Sequence, residues 1–321
     1  MRARIIGTGY SLPAFRADND YLATLVDTSD EWISERTGIR VRHLAKEETT
    51  LSMSADAARM ALERADFKAE DMELLIVATI TGDMDTPSTA CQVQKEIGAE
   101  HAIAFDINAA CSGFLYALHV AEAFIESGTY RNALLIGAET LSKIVDWTDR
   151  GTCVLFGDGA GAALVTASED GGLLAQSLGS SGGKWDVLFC EGRPNENPLH
   201  AKGQKCGYLK MNGQEVFKFA VRTVPQCIEE ALEKAGLKPE EVDLFVLHQA
   251  NKRIIQAVAR RLGMAEEKFP MNMDECGNTS AASLPILLAQ LDECGRLHRG
   301  DRIVLSGFGA GLTWGACVLE W

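Results

Sequence analysis

The chain has 321 residues, 46% of them apolar, and a formal net charge of −14. That length and apolar content mark a globular protein with a large core, in two domains or two fused halves. The charge, with no basic run interleaved with aromatics, excludes nucleic acid as a partner; the absence of a signal-peptide pattern and of any run of ~20 apolar residues places the chain in the cytosol, off the membrane.

Nine cysteines (Cys91, Cys111, Cys153, Cys190, Cys206, Cys227, Cys276, Cys294 and Cys317) form no Cys-x-x-Cys pair and no zinc framework, so no metal is expected. Most should be reduced, small, buried hydrophobes.

The segment Ala61–Val77 recurs as Ala231–Leu247, with seven identities at an offset of 170 residues. Gly128–Gly137 and Arg299–Gly307 repeat a helix stop followed by an apolar strand at nearly the same offset. These repeats predict two related half-domains, 1–170 and 171–321, each alternating helix and strand.

In chain order, apolar spacing predicts helices over Leu51–Ala65, Phe114–Ser127, Gly213–Ala235, Lys252–Gly263 and Ala281–Cys294. Strands are expected at Leu74–Thr79, Ala102–Ile107, Ala133–Gly137, Leu244–Leu247 and Ile303–Ser306. The pattern is α/β, with two similar, buried, largely parallel sheets related by a pseudo-twofold axis. Ser177–Gly183 and the polar stretch Gly192–Gly207 read as loops between the halves. The loops Gly157-Asp-Gly-Ala-Gly and Gly307-Phe-Gly-Ala-Gly are followed by strand patterns rather than helices, which rules out nucleotide binding there.

Three segments place reactive side chains where strands end and helices begin, the usual location of a site in α/β sheets. Cys111 sits among Ala109, Ala110, Ser112 and Gly113 at a helix start, where the helix dipole is expected to lower the thiol from about 8.5 toward roughly 3.5–7.5. His248 ends the strand Leu244–Leu247; the 170-residue offset matches it to Ala78, so packing does not require an imidazole there. Asn278 opens a third helix entry and is matched to Asn108, three residues before Cys111. The duplication lets the two turns converge on one cavity with His248. A thiol, an imidazole and an amide donor serve several acyl-transfer chemistries, and the residues alone do not choose among them.

The chain resembles the thiolase superfamily and, within it, the β-ketoacyl-[acyl-carrier-protein] synthase III family. The motifs that carry the resemblance are Glu31-Trp-Ile-Ser-Glu-Arg-Thr-Gly-Ile, Asn108-Ala-Ala-Cys-Ser-Gly-Phe, Asp146-Trp-Thr-Asp-Arg-Gly-Thr-Cys, His248-Gln-Ala-Asn, Gly277-Asn-Thr-Ser-Ala-Ala-Ser and Gly307-Phe-Gly-Ala-Gly-Leu-Thr-Trp-Gly. The resemblance implies a five-layered αβαβα fold, a homodimer, and a ping-pong condensation that starts type II fatty-acid synthesis. In that reaction Cys111 takes a short acyl group from acyl-CoA, and malonyl-acyl-carrier protein decarboxylates and attacks the acyl-cysteine. CoA is a substrate carrier, and no cofactor is implied.

By the same resemblance His248 and Asn278 stabilise the enolate, and the backbone N–H groups of Cys111 and Ala310 form an oxyanion hole. Trp32, Arg36 and Arg150 bind CoA. Lys218, Gln249, Ala250, Asn251, Lys252 and Arg253 dock the carrier protein, within a basic patch that also includes Arg222, Arg260 and Arg261. Thr86 stands where many relatives have a bulky aromatic at the acyl-pocket gate, which implies a roomier pocket for longer or branched primers. Alternatives within the superfamily are a condensing enzyme of specialised polyketide metabolism and a thiolase; outside it stand a non-catalytic acyl-CoA-binding homologue and a cysteine hydrolase. Cys317, in an expected buried strand, does not supply the second reactive cysteine of a thiolase.

Overall fold

The computed structural model describes residues 1–194, 198–199 and 207–321, and its longer strands gather into two sheets. The first runs, in spatial order, Arg2–Ser11, Gly159–Ser168, Asn132–Glu139, Leu74–Ala78 and Ile103–Ile107. The second runs Leu244–Leu247, Arg302–Gly309, Thr313–Glu320 and Gly172–Ser180. At an offset of 170, Ile103–Ile107 has no strand as counterpart, and the short helix Met273–Cys276 stands there instead.

Strand alternation builds the layers, because successive side chains leave opposite faces of a sheet. Ile76 joins a central cluster with Leu115 and Leu118 of the helix Gly113–Glu126, Leu284 and Leu288 of the helix Ser283–Glu293, and Val246 and Leu305 of the second sheet. Its neighbours Leu75 and Val77 face outward, under Met53, Ala57 and Ala61 of the helix Thr50–Arg64. On the far side Phe245 and Leu247 pack under Val224, Ile228 and Val258 of the helices Gly213–Ala235 and Lys252–Leu262. The order is helix, sheet, paired central helices, sheet, helix: five layers. Ser283–Glu293 is buried on almost every side, whereas Gly113–Glu126 keeps one exposed stripe at His119, Ala123 and Glu126.

Both sheets are mixed, which corrects the largely parallel expectation. Strands joined through a helix run parallel, as Leu74–Ala78 does beside Asn132–Glu139 and Leu244–Leu247 beside Arg302–Gly309. Thr313–Glu320 follows its neighbour through the short turn 310–312 and therefore runs back antiparallel to it. The glycine-rich stretch from Ser177 is likewise not all loop. Ser177 pairs with Ala316 and Gly179 with Trp314 in the ladder, and a Cβ on Gly179 would lie 2.5 Å from the Trp314 ring. The missing side chain makes room for the indole rather than marking a turn. Most of Gly192–Gly207, with Cys206, lies outside the described residues. Among the described residues no helix is long and apolar enough to cross a membrane, and no three His, Cys, Asp or Glu side chains group as metal ligands.

Candidate active site

Two turns with one conformation form the centre of the molecule. In the first, Asn108 Oδ1 accepts the Ala110 N–H at 3.4 Å, Ala110 takes a φ of 46°, and a 3₁₀ turn over Ala110–Ser112 leads into the helix Gly113–Glu126. In the second, Asn278 Oδ1 accepts the Ser280 N–H at 2.9 Å, Ser280 takes a φ of 50°, and a 3₁₀ turn over Ser280–Ala282 leads into Ser283–Glu293. A side-chain residue with positive φ costs of order 1–3 kcal/mol, and its recurrence at the same point of both turns shows that the surrounding packing fixes it.

Cys111, His248 and Asn278 line one cavity of about 120 Å³ whose walls include Phe156, Val216 and Phe308. All three are buried. Asn278 Oδ1 accepts a hydrogen bond within its own turn, while its Nδ2 has no protein partner among the described residues and is available to the cavity that Asn278 lines. Its backbone is clamped to the segment before Gly157, through Asn278 N–H to Leu155 O at 2.9 Å and Gly157 N–H to Asn278 O at 3.0 Å.

His248 is held from three sides. Its N–H donates to Ser306 O at 2.8 Å, Nδ1 lies 2.6 Å from Ser283 Oγ, and Phe308 meets the ring edge-on at 5.6 Å. Nε2 has no protein partner among the described residues. Burial pushes the imidazole down to about 3, so it is neutral at physiological pH. It can donate a hydrogen bond but is a poor base.

Burial also pushes the Cys111 thiol up to about 12, against the pull of the Ser280 hydroxyl and its own backbone N–H and with the Glu139 carboxyl adding to the rise. This reverses the expectation drawn from the helix start alone. Desolvation of an anion at this buried position outweighs the helix-end charge. The carbon chain just beyond is made thin on purpose of space: a Cβ on Gly309 would sit 2.7 Å from the Cys111 amide nitrogen, so glycine keeps open the volume in front of that N–H. Ala310, beside it, avoids positive φ, and its carbonyl accepts the Thr313 hydroxyl at 3.0 Å.

Glu139 was not singled out by sequence, although a carboxylate ending an otherwise apolar buried strand is a readable signal. It accepts hydrogen bonds from the Thr81 hydroxyl at 2.5 Å, the Ile80 N–H at 3.2 Å and the Ser280 hydroxyl at 3.2 Å, tying the second turn to the first sheet. Desolvation nevertheless raises it to about 7. Gly309 and Ser283 were also missed; the 170-residue offset pairs them with Glu139 and Gly113, and that mismatch was their only signal.

The outer residues separate into groups. Arg36 and Arg150 place their guanidinium carbons 4.5 and 4.9 Å from the Trp32 ring centroid, and Arg150 also donates to Asp27 O at 2.8 Å. Lys218, Arg222, Lys252, Arg253, Arg260 and Arg261 are all exposed on the two packed outer helices. Phe217 lines the cavity while Lys218 lines a neighbouring groove of about 920 Å³, so the start of that helix forms the rim between them. Asn251 caps the helix Lys252–Leu262, donates to Arg36 O at 3.0 Å and, with Ala250, borders the cavity.

Gln249 corrects the docking set. It is fully buried, donating to Leu247 O at 2.7 Å and accepting the Asn272 N–H at 3.0 Å, so it braces the strand end and cannot meet a docked protein. Thr86 is exposed and does not line the cavity of its own chain. Asp158, in the glycine-rich loop, accepts hydrogen bonds from Ala45 N–H at 2.8 Å and Ser142 N–H at 2.9 Å, and strands follow both such loops. Neither segment opens a helix, as a phosphate-binding loop would.

Comparisons with known proteins agree with one another. The profile of 3-oxoacyl-[acyl-carrier-protein] synthase III matches residues 105–182, and that of its C-terminal part matches residues 232–321. The chain is 50% identical to the β-ketoacyl-[acyl-carrier-protein] synthase III of Aquifex aeolicus over all of both chains, and 47% identical to that of Clostridium acetobutylicum over 99% of this chain and 98% of the relative. The crystal structure of the Aquifex aeolicus protein superposes with a TM-score of 0.93, covering 99% of this chain and 100% of that one. The priming β-ketosynthase of the R1128 polyketide biosynthetic pathway, 36% identical, also superposes with a TM-score of 0.93, covering 99% and 96%. With a buried thiol, imidazole and amide side chain lining one cavity, the chain belongs to the β-ketoacyl-[acyl-carrier-protein] synthase III family, condensing acyltransferases on the thiolase fold.

Proposed function

We propose that this protein joins a short-chain acyl group from acyl-CoA to malonyl-acyl-carrier protein and so starts type II fatty-acid synthesis. The observation that carries this reading is the convergence of Cys111, Asn278 and the open Nε2 of His248 on one cavity. In the first half-reaction the Cys111 sulfur attacks the thioester carbonyl, and CoA leaves as the thiol. The tetrahedral oxyanion forms in front of the Cys111 and Ala310 N–H groups, in the space that Gly309 keeps free.

In the second half-reaction malonyl-acyl-carrier protein loses CO₂, and the electron pair passes to the thioester oxygen as an enolate. His248 and Asn278 donate to that oxygen. The enolate carbon then attacks the acyl-cysteine, the C–S bond breaks, and the Cys111 sulfur leaves and takes up a proton from solvent to return to the thiol. A neutral imidazole suits this role, since it donates without having to take up a proton first.

Trp32, Arg36 and Arg150 form a stacking platform for the CoA adenine. The guanidinium groups lie against the indole itself, so adenine stacking on Trp32 would displace at least one of them. The six exposed cations on the outer helices steer the acidic carrier protein toward the rim at Phe217, and Ala250 and Asn251 meet its prosthetic arm there. We read residues 1–170 and 171–321 as duplicated halves, the active form as a cytosolic homodimer without metal or resident cofactor, and Thr86 as the gate of the partner's acyl pocket. Faster turnover with primers of four or more carbons than with acetyl-CoA is the expected sign of that gate; an acetyl preference would count against it.

Intact-mass spectrometry tests the whole reading. Acyl-CoA should add one acyl mass to wild type and none to Cys111→Ala, and malonyl-acyl-carrier protein should discharge it as a β-ketoacyl carrier. Absence of an adduct with every acyl-CoA tried would remove Cys111 as the nucleophile.

A further inference from the structure

We infer that Ser283 is a positioning residue that fixes His248 as the Nε2–H tautomer, the form able to donate to the enolate; this rests on the reading of His248 given above. Ser283 is 2% exposed and begins the second central helix, and its Oγ lies 2.6 Å from His248 Nδ1. That imidazole nitrogen is the only hydrogen-bond partner of the Ser283 hydroxyl among the described residues. A buried hydroxyl proton with no acceptor is costly, and Nδ1 is the one acceptor on offer. The hydroxyl therefore donates to Nδ1, which leaves the ring proton on Nε2. The opposite tautomer would turn a lone pair toward the cavity and repel the enolate oxygen.

The duplication supplies an internal control. At an offset of 170 the counterparts of Ser283 and His248 are Gly113 and Ala78. Those two also face each other, so closely that a Cβ on Gly113 would lie 2.9 Å from the Ala78 Cβ. The same pair of positions thus meets in both halves, and only the second half fills both with polar groups joined by a hydrogen bond. Helix entry does not demand serine there, since the first half makes the same turn with glycine.

The test compares wild type, Ser283→Ala and His248→Asn in two assays, acyl loading of Cys111 by intact mass and condensation with malonyl-acyl-carrier protein from the loaded enzyme. Ring ¹⁵N NMR of histidine-labelled protein, with the His248 signals assigned by their loss in His248→Asn, reads the tautomer directly. Wild type should carry the proton on Nε2. Ser283→Ala should gain the Nδ1–H form and lose about tenfold or more in condensation, while loading falls less than about threefold. A wild-type ring protonated at Nδ1 would overturn the inference even if the variant failed to fold. Equal losses in loading and condensation, or no loss in condensation, would overturn it as well. Unchanged condensation in His248→Asn would instead remove the reading of His248 as an enolate donor, an outcome the NMR result does not mimic.

Discussion

Asn108 and Asn278 close the same turn, yet only one of them faces the cavity. Asn108 is exposed and does no more than accept the Ala110 N–H, whereas Asn278 is buried and lines the cavity. Two residues further along each turn a positive φ recurs, at Ala110 and Ser280, and beyond it the first half carries Cys111 where the second has Ala281. The strand ends differ in the complementary sense. Glu139 closes the first sheet with a hydrogen-bonded carboxyl, and Gly309 leaves the matching place in the second sheet empty. Two turns of one geometry thus carry different side chains, and in the proposed reaction the chemistry comes from that inequality: a nucleophile on one, hydrogen-bond donors beside the other, and a vacant side-chain volume between them.

The sharpest break of that asymmetry is Cys111→Ala, which makes position 111 like Ala281. Acyl transfer should fall by at least about 10⁴-fold, measured as single-turnover loading, while decarboxylation of malonyl-acyl-carrier protein persists. Replacing either donor, as in Asn278→Ala or His248→Ala, should do the reverse. Decarboxylation and condensation should drop on the order of 10²–10³ in rate, with loading nearly intact. Parallel losses in both half-reactions would mean that the nucleophile and the donors do not divide the work.

Gly309→Ala puts a methyl 2.7 Å from the Cys111 amide nitrogen, and loading should slow by about 10²-fold with a stability loss of roughly 1–3 kcal/mol by thermal unfolding. An unaltered loading rate would remove the oxyanion space from in front of Cys111.

Glu139 gives the smallest and most diagnostic effect. Its carboxyl is raised to about 7 in the folded chain against 4.5 as the ordinary value, so between those limits the folded state binds the extra proton. Stability should therefore be fully helped below about 4.5 and should decline as pH rises toward 7. Glu139→Gln should flatten that segment of a urea-unfolding pH profile, and an unchanged slope would show that Glu139 stays ionised throughout.

Much of this was legible in the sequence because it depends on local order. The strand Leu244–Leu247 is read from an apolar run, the helix Gly213–Ala235 from apolar spacing, and the turns at Cys111 and Asn278 from the repeat. What depends on burial by distant segments was not legible. Gln249 looked available for docking beside Asn251, but Leu247 O and the Asn272 N–H enclose it. The Cys111 thiol looked acidified by its helix, but burial among distant segments desolvates it. Ser283 reads as one more small residue at a helix start until its hydroxyl is seen against the imidazole.

The central claim is that acyl loading depends on Cys111, whereas decarboxylation depends on the donors His248 and Asn278. The most direct measurement is ¹⁴CO₂ release from carboxyl-labelled malonyl-acyl-carrier protein, run beside acyl loading for Cys111→Ala and Asn278→Ala. The expected result is CO₂ release without loading in the first variant and loading without CO₂ release in the second. Loss of both activities in both variants would contradict the division and make the cavity a single indivisible unit.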